Sequence, residues 1–188
     1  CYHVNSGGKV AIGVADTSSI GKGAIIDMAD TGTVTGFAPL ASDWKREDVV
    51  IYEVHVRDFT SYFGVNPTGV VPAGVTKPTS KPGTYKAFIE NLDYIKNMGY
   101  THIQLLPVMN FYYGIETNNE IETEYKGADC NYNWGFDPHH YFTPEGMYST
   151  DATNPVTRVK ELKELIQAIH DKGMGVVLDV VYTHMAKA

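Results

Sequence analysis

The sequence predicts an α/β fold in which parallel strands alternate with helices. Three runs of β-branched and apolar residues, at 49–56, 100–108 and 175–181, are typical of strands buried on both faces. Residues 84–98 and 154–172 lie between these runs and repeat apolar side chains at helical spacing. Because strands joined by single crossover helices pair in parallel, this order predicts either a barrel or a doubly wound sheet.

Both predicted helices have recognisable ends. Thr84 is placed to cap the first helix at its N-terminus, and Gly99 is typical of a residue at which a helix stops. The second helix is predicted to begin at Asn154-Pro155, which pairs a capping side chain with a proline in the first turn, and to stop at Gly173. Each helix therefore leads almost directly into the next strand.

The chain divides into two parts of different composition. Residues 1–48 are rich in Gly, Ser and Thr, and short apolar runs at 10–14 and 24–26 predict one or two short strands with turns. A linker follows through 39–43. We therefore predict the end of a β-rich module plus a linker over 1–48, and the α/β unit over 49–188.

The connections that follow the first two predicted strands are much longer than those that follow the helices. Residues 57–83 and 109–153 lead from a strand to a helix, whereas Gly99 or residues 173–174 suffice on the way back. Compact domains rarely carry such long connections unless they have a function. In α/β barrels the segments after the strands form the ligand-binding face, so the chemistry is expected there and just after the third strand.

Composition excludes several classes of protein. The 188 residues carry a formal net charge of −7 and are 43% hydrophobic, which suits a folded domain and not a disordered chain. No run of basic residues supports a nucleic-acid partner, and no apolar stretch is long enough to span a membrane. Cys1 and Cys130 are too few for a disulfide scaffold, and no glycine-rich phosphate loop indicates a nucleotide.

The second long connection contains an aromatic loop with candidate binding residues. Asn133, Trp134, Phe136 and Asp137 combine aromatic planes with amide and carboxylate groups. A sugar ring can stack its apolar face on an aromatic plane while its hydroxyls form directional hydrogen bonds. The alternative interpretation is a compact surface loop packed by its own aromatic side chains.

The end of the third strand supplies two further candidates. Asp179 lies in an apolar run, where a carboxylate needs a hydrogen-bonding or cationic partner, and His184 follows at the expected ligand face. A structural carboxylate and a histidine that merely ends the strand explain them equally well. His139 and His140 are adjacent, which is poor spacing for chelation, so we infer no metal site.

Four segments together resemble a known family. Residues 52–59 are similar to the first-strand motif of starch-debranching enzymes, and residues 132–138 resemble the hallmark Tyr-Asn-Trp-Gly-Tyr-Asp-Pro. Residues 144–150 and 179–184 are similar to two later segments of the same enzymes. The chain thus resembles type I pullulanase-like debranching enzymes of glycoside hydrolase family 13. Residues 1–48 resemble the end of the β-sandwich module and linker that precede the barrel in that family.

The resemblance implies a fold, a substrate and roles for the candidate residues. The fold would be an incomplete (β/α)8 TIM barrel with strands one to three and helices one and two. The substrate would be a branched α-glucan, cleaved at its α-1,6 linkages in pullulan, starch or glycogen. By analogy Phe136 would stack near the sugar, Asp137 and His184 would bind its hydroxyls, and Asp179 would orient neighbouring groups. Asn133 and Trp134 would belong to the same substrate site.

Two positions depart from the family pattern. Phe136 replaces the usual tyrosine, which keeps the aromatic plane but removes a hydroxyl group. Thr183 replaces an asparagine that helps to hold calcium in related amylases, so we infer neither calcium nor any other cofactor.

The resemblance also implies what these residues lack. Retaining hydrolysis needs a carboxylate nucleophile and a carboxylic acid roughly 5 Å apart. In this family they follow strands four and five, and a third carboxylate follows strand seven, so all three are expected beyond Ala188. We therefore assign no catalytic residue and predict that residues 1–188 alone are inactive. The remainder of the same polypeptide would be needed to close the barrel.

Two alternatives remain open at this stage. The first is a glucan-binding module without catalytic activity, built from part of a barrel. The second keeps the family and changes the linkage, as in an α-amylase, an isoamylase or a branching enzyme. Because polymeric starch is degraded outside cells, the resemblance implies an extracellular or surface-bound protein.

Overall fold

The computed structural model describes residues 24–36, 45–65, 71–112, 116–117 and 133–186. The predicted strand at 10–14, the linker at 39–43, both cysteines and Tyr132 lie outside these residues. The prediction of a strand at 24–26 is wrong. Ile25 is exposed to solvent, and a single turn of 3-10 helix follows at Met28–Thr31.

The three strands of the predicted pattern are separated by helical segments, with a strand pair inserted after the second of them. In chain order the elements are β1 (Ile51–Val54), α1 (Asp58–Val65), α2 (Tyr85–Ile89), α3 (Leu92–Asn97), β2 (His102–Leu105), β3 (Met109–Phe111), β4 (Pro138–Pro144), α4 (Pro155–Asp171) and β5 (Gly175–Leu178). Strands β1, β2 and β5 are the three predicted from the apolar runs, and each is shorter than its run.

The central feature is a three-stranded parallel sheet in the order β1-β2-β5. Ile51 pairs with His102, which pairs with Gly175, so the strands are in register and their carboxyl ends meet at one edge. Burial on both faces holds only for the middle strand β2. Ile51 and Leu178 are exposed because β1 and β5 are the outer strands of the described sheet.

The strand order and the helix positions match what is expected of part of a barrel. The strands follow one another across the sheet without a reversal of order, whereas a doubly wound sheet reverses direction at a switch point. Helices α2 and α4 lie side by side, joined by a 2.5 Å ion pair between Lys86 Nζ and Glu164 Oε2. Both crossovers therefore cover the same face of the sheet, which is the arrangement in a barrel.

The helix predicted over 84–98 is present but divided into α2 and α3. Its cap is confirmed, because Thr84 Oγ1 accepts a hydrogen bond from the Ala87 N–H at 3.3 Å. The break falls at Glu90 and Asn91, whose side chains accept backbone N–H groups of the preceding segment. Glu90 Oε2 binds the Thr79 N–H at 2.6 Å, and Asn91 Oδ1 binds that of Thr76 at 2.8 Å.

Helix α4 has the predicted ends. Asn154 Oδ1 accepts the N–H groups of Val156 at 2.9 Å and Thr157 at 3.3 Å, and Pro155 occupies the first turn. Gly173 adopts a φ of +68°, a left-handed conformation that glycine reaches without strain, and the chain enters β5 two residues later.

One hydrophobic core joins the sheet to the helices. Its side chains with no exposed surface come from α2, α3, α4 and the middle strand: Tyr85, Phe88, Leu92, Ile95, Ile103, Leu105, Leu165 and Ile169. Burying a side chain of this size stabilises the fold by about 1.5–3 kcal/mol. This core holds the carboxyl edge of the sheet in place.

The described parts of the two long connections contain regular elements. The first contains α1, and the second contains an antiparallel hairpin in which Phe111 of β3 pairs with Pro138 of β4. The hairpin is a separate two-stranded sheet, and the aromatic loop precedes its second strand, β4. Within the described residues, no helix has the length and apolar character needed to cross a membrane.

Candidate functional site

The predicted aromatic loop, residues 133–137, lies beyond the carboxyl end of β2. Its last residue, Asp137, accepts the Tyr112 N–H on its carbonyl at 2.8 Å. Its middle residue, Gly135, has a φ of +88°, and a Cβ there would lie 2.7 Å from the carbonyl oxygen of Pro107. Only glycine permits both this conformation and this close approach to the segment that follows β2.

Hydrogen bonds inside the loop fix its shape. Asn133 Oδ1 accepts the Gly135 N–H at 2.7 Å, a turn in which the side chain replaces a backbone acceptor. The Asn133 amide nitrogen lies 3.4 Å from Asp137 Oδ2. Two of the predicted site residues are thus brought together, and the asparagine shapes the turn that carries the aromatic rings.

The aromatic side chains of this loop face solvent. Trp134 is 60% exposed and Phe136 is 37% exposed. Their rings therefore do not form the interior of a self-packed loop, which was the alternative interpretation of the sequence. Exposed aromatic planes beside a carboxylate and an amide are chemically suited to a ligand with one apolar face and several hydroxyls.

His184 contacts the loop directly. Its Nε2 lies 2.9 Å from the carbonyl oxygen of Phe136, and its Nδ1 lies 3.0 Å from Thr183 Oγ1. The side chain of His184 is exposed, and the main-chain carbonyl of His184 accepts a hydrogen bond from the Tyr141 hydroxyl at 2.9 Å. The segment after β5 is thereby joined to the aromatic loop and to β4.

Asp179 lies at the same edge of the sheet, one residue past β5. Its N–H donates to the Leu105 carbonyl at 3.0 Å, which continues the ladder between β5 and β2. The residue is half-buried and not enclosed by the apolar run as the sequence suggested. It follows an outer strand, so only one of its sides is covered by described neighbours.

Sequence reasoning missed one residue that contacts the loop, His55. It follows β1, is 6% exposed, and places Nε2 2.8 Å from the Asn133 carbonyl oxygen. Its partner is 78 positions away in the chain, so no local pattern links the two. The available signal was its position at the carboxyl end of a strand, beside the predicted ligand face.

A second missed residue is the buried carboxyl of Glu145, at the end of β4. One oxygen accepts the Phe111 N–H at 3.2 Å and the Asn110 amide at 3.1 Å, and the other accepts the Met147 N–H at 3.0 Å. Burial, and after it the charge of Glu116, raises the pKa of Glu145 to about 8. This side chain holds the hairpin that carries the aromatic loop.

The adjacent histidines of β4 stack on each other with ring centroids 4.1 Å apart. Burial, followed by the neighbouring His140, lowers the pKa of His139. Across the described part of the chain, no three His, Cys, Asp or Glu side chains are grouped in a way that could hold a metal ion.

Comparisons with known proteins give concordant findings. The family model described as "Alpha amylase, catalytic domain" matches residues 59–188. The chain is 46% identical over 177 residues to "Pullulanase A" of Streptococcus pneumoniae, a match that covers 93% of this chain and 13% of that protein. The chain therefore spans about an eighth of the length of this curated relative.

Solved structures agree in fold. The catalytic module of the glycogen-degrading pneumococcal virulence factor SpuA aligns with a TM-score of 0.71 and 43% identity, over 92% of this chain and 23% of that one. The pullulanase SAP of group B Streptococcus, solved in complex with maltotetraose, aligns with a TM-score of 0.64 and 44% identity. That alignment covers 80% of this chain and 18% of the other. These likenesses confirm the predicted α/β class and its assignment to part of a TIM barrel.

Proposed function

Because the chain belongs to the alpha-amylase catalytic-domain family, we propose that its protein hydrolyses α-1,6 branch linkages of pullulan, starch or glycogen. Residues 133–137 and the segment after β5 would form part of the substrate cleft. The relatives named above are pullulanases and a glycogen-degrading enzyme, and one of them was solved with maltotetraose. The proposal transfers this substrate class, a branched α-glucan, to the present chain.

The observation that carries the proposal is the exposure of Trp134 and Phe136 on a loop whose backbone is fixed. A glucose ring presents a face of C–H groups that packs on an aromatic plane, and we take its contribution to be of the order of an aromatic pair, about 0.5–1.5 kcal/mol. Because the loop is held by hydrogen bonds at Asn133 and Asp137, the rings need little reordering when a sugar binds.

Polar groups around the rings would select and orient the sugar. We assign hydroxyl binding to Asp137, whose carboxylate accepts hydrogen bonds, and to His184, which is exposed beside Phe136. Asp179 would orient neighbouring groups at the same edge of the sheet. Phe136 provides an aromatic plane but lacks the hydroxyl of the usual tyrosine. Hydrogen bonds to the sugar would therefore come from neighbouring residues.

The proposed chemistry is retaining hydrolysis through two carboxyl groups. Neither is assigned to residues 1–188. The nucleophile, the acid and the third carboxylate would come from later strands of the barrel, which would also cover the outer edge of β5. The 188-residue chain by itself is therefore expected to release no reducing sugar from pullulan.

The direct test is release of reducing sugar by the intact protein that carries this chain, with pullulan and amylose as parallel substrates. We expect hydrolysis of pullulan and little or none of amylose. Trp134→Ala is expected to raise KM for pullulan about tenfold, because loss of one stacking contact costs roughly 1.4 kcal/mol.

Met98→Ala is the matched control. Met98 is an exposed apolar residue at the end of α3, near the amino end of β2 and away from the aromatic loop. Its loss should leave KM unchanged. Hydrolysis of amylose in preference to pullulan would contradict the proposed α-1,6 specificity and favour an amylase of the same family. Binding of pullulan without any hydrolysis would favour the glucan-binding module.

A further inference from the structure

We propose that His55 is a positioning residue for the aromatic loop, acting through a hydrogen bond from its Nε2–H to the Asn133 carbonyl. The proposal rests on the function proposed above, because it concerns how the sugar-stacking rings are placed. His55 itself is buried and would not touch the substrate. It lies at the end of β1, so it connects the rigid parallel sheet to the loop that carries Trp134 and Phe136.

The surrounding hydrogen bonds determine which ring nitrogen carries the proton. Nδ1 lies 3.2 Å from the N–H of Arg57 and 3.3 Å from that of Asp58. Both groups are donors, so Nδ1 acts as their acceptor, and the Asp58 carboxylate oxygen at 3.8 Å from Nδ1 is beyond hydrogen-bond distance. The proton of a neutral imidazole is then on Nε2. Nε2 is 2.8 Å from a carbonyl oxygen, the Asn133 carbonyl, which can only accept.

The same contacts fix the orientation of the ring. The Tyr148 hydroxyl lies 3.2 Å from Nε2, and the two rings meet edge to face with centroids 5.7 Å apart. Burial, with a further contribution from Glu145, raises the pKa of Tyr148 well above its usual value, so the phenol is neutral near neutral pH. With polar contacts on both nitrogens and an aromatic ring alongside, the imidazole has little freedom to rotate.

The effect of this hydrogen bond reaches the aromatic rings through Asn133. The main chain of Asn133 is held by His55, while its side chain closes the turn at Gly135 and approaches Asp137. Displacement of the Asn133 carbonyl would move the turn that starts there, and Trp134 lies within that turn while Phe136 directly follows it. His184 holds the same loop from the other side through Phe136, but it does so from an exposed position.

Two substitutions separate the hydrogen bond made by Nε2 of His55 from those accepted by its Nδ1. His55→Asn retains an acceptor near the position of Nδ1, so it can serve the Arg57 and Asp58 N–H groups while losing the donor to Asn133. His55→Gln places an amide near the position of Nε2, so it retains that donor and loses the acceptor. Both changes replace the buried ring with a side-chain amide, and the two variants differ in size by one methylene group.

The first readout needs no ligand. Backbone hydrogen exchange is measured by mass spectrometry on the intact protein, with peptides covering residues 133–141 and Tyr112. Exchange in these peptides should rise about tenfold in His55→Asn and stay within threefold of wild type in His55→Gln, because loss of one buried hydrogen bond costs about 1.4 kcal/mol. Equal exchange in the two variants would overturn the proposal, since a purely structural role does not distinguish them.

The second readout is steady-state kinetics on pullulan. His55→Asn should raise KM about tenfold and change kcat less than threefold, because the loop binds substrate and carries no reacting group, and His55→Gln should restore KM. A fall in kcat at constant KM in His55→Asn would also overturn the proposal. If wild-type protein fails on pullulan while the exchange difference persists, the proposed function fails and the positioning role stands.

Discussion

The two halves of α4 hold different parts of the chain, and they do so in different environments. The first half faces the hairpin that carries the aromatic loop. Arg158 forms a two-pronged ion pair with Glu116, with N–O distances of 2.9 and 3.2 Å and only 14% and 16% exposure of the two side chains. Glu161, also buried, accepts the Thr150 N–H at 2.8 Å.

The second half of α4 faces the segment that precedes the barrel strands. Lys163 donates to Thr31 Oγ1 at 2.6 Å, and Gln167 Oε1 accepts the Thr35 N–H at 2.6 Å. His170 donates from Nδ1 to the Thr35 carbonyl at 2.8 Å. These three residues follow the i, i+4, i+7 spacing of one helix face, and the contacts with Thr35 are exposed to solvent.

The two halves of α4 differ in the burial of their polar contacts, and burial decides how much each contact contributes to stability. Water replaces a lost exposed hydrogen bond at little cost, whereas a buried group that loses its partner keeps the cost of desolvation. The first half of α4 should therefore control the hairpin and the candidate site. The exposed polar contacts of the second half with Thr35 should affect only the local docking of residues 31–36.

Arg158→Ala should produce the largest change. It would leave the Glu116 carboxylate half-buried beside Asn110 and close to Glu145, without its cation. We expect a loss of about 3 kcal/mol, as for other buried pairs that lose one partner. Native-state hydrogen exchange of peptides covering β3 and β4 in the intact protein measures this loss. A loss of stability below about 1 kcal/mol would mean that this ion pair contributes no more than an exposed salt bridge does. The two halves of α4 would then not differ in the strength of their polar contacts.

The buried hairpin should also respond to pH through Glu145. Its pKa is raised from 4.5 to about 8 on folding, so the folded state binds its proton more tightly than the unfolded state does. The contribution of Glu145 to the free energy of unfolding is therefore fully present below pH 4.5 and is lost as the pH rises through about 8. Thermal unfolding of the intact protein should show a lower midpoint at about pH 8.5 than at about pH 5.

Glu145→Gln provides the control for this pH dependence, because the amide cannot titrate. The difference between the two midpoints should shrink in the variant. An unchanged difference would assign the pH dependence to other groups. Phe111 and Met147 donate to different oxygens of Glu145, and the Gln amide keeps only one of these acceptors, so both midpoints of the variant should lie below those of wild type and only the difference between them is compared.

Gln167→Ala should produce the smallest change. Its contacts with Thr35 are exposed, so we expect a loss of less than about 0.5 kcal/mol of global stability. Exchange of the Thr35 N–H should nevertheless become faster, because that group loses its acceptor. A global loss as large as that of Arg158→Ala would show that the segment before the barrel strands stabilises the whole unit.

The sequence predicted those elements whose signals are local. Helix α4 has an apolar stripe, a capping asparagine, a first-turn proline and a terminal glycine within one stretch, and its bounds follow from them. The division between α2 and α3 was missed because it depends on Glu90 and Asn91 binding residues 76–80 instead of continuing the helix. Helical spacing carries no information about such tertiary contacts.

The candidate site shows the same limit. Its aromatic and polar residues are contiguous, so composition alone pointed to them. Their supports come from far along the chain: His55 after β1, Tyr112 after β3 and His184 after β5. The hairpin was missed for a related reason, since pairing of β3 with β4 joins segments separated by a long connection. Only the folded structure brings these groups together.

The most direct test of the account is a crystal structure of the intact protein with maltotetraose bound. We expect a glucose ring packed against Phe136 or Trp134, with hydroxyls bonded to Asp137 and His184, and residues 133–137 unchanged from the arrangement described here. Maltotetraose bound elsewhere in the barrel, with both aromatic rings still facing solvent and the loop untouched, would contradict the assignment of this loop to the substrate cleft.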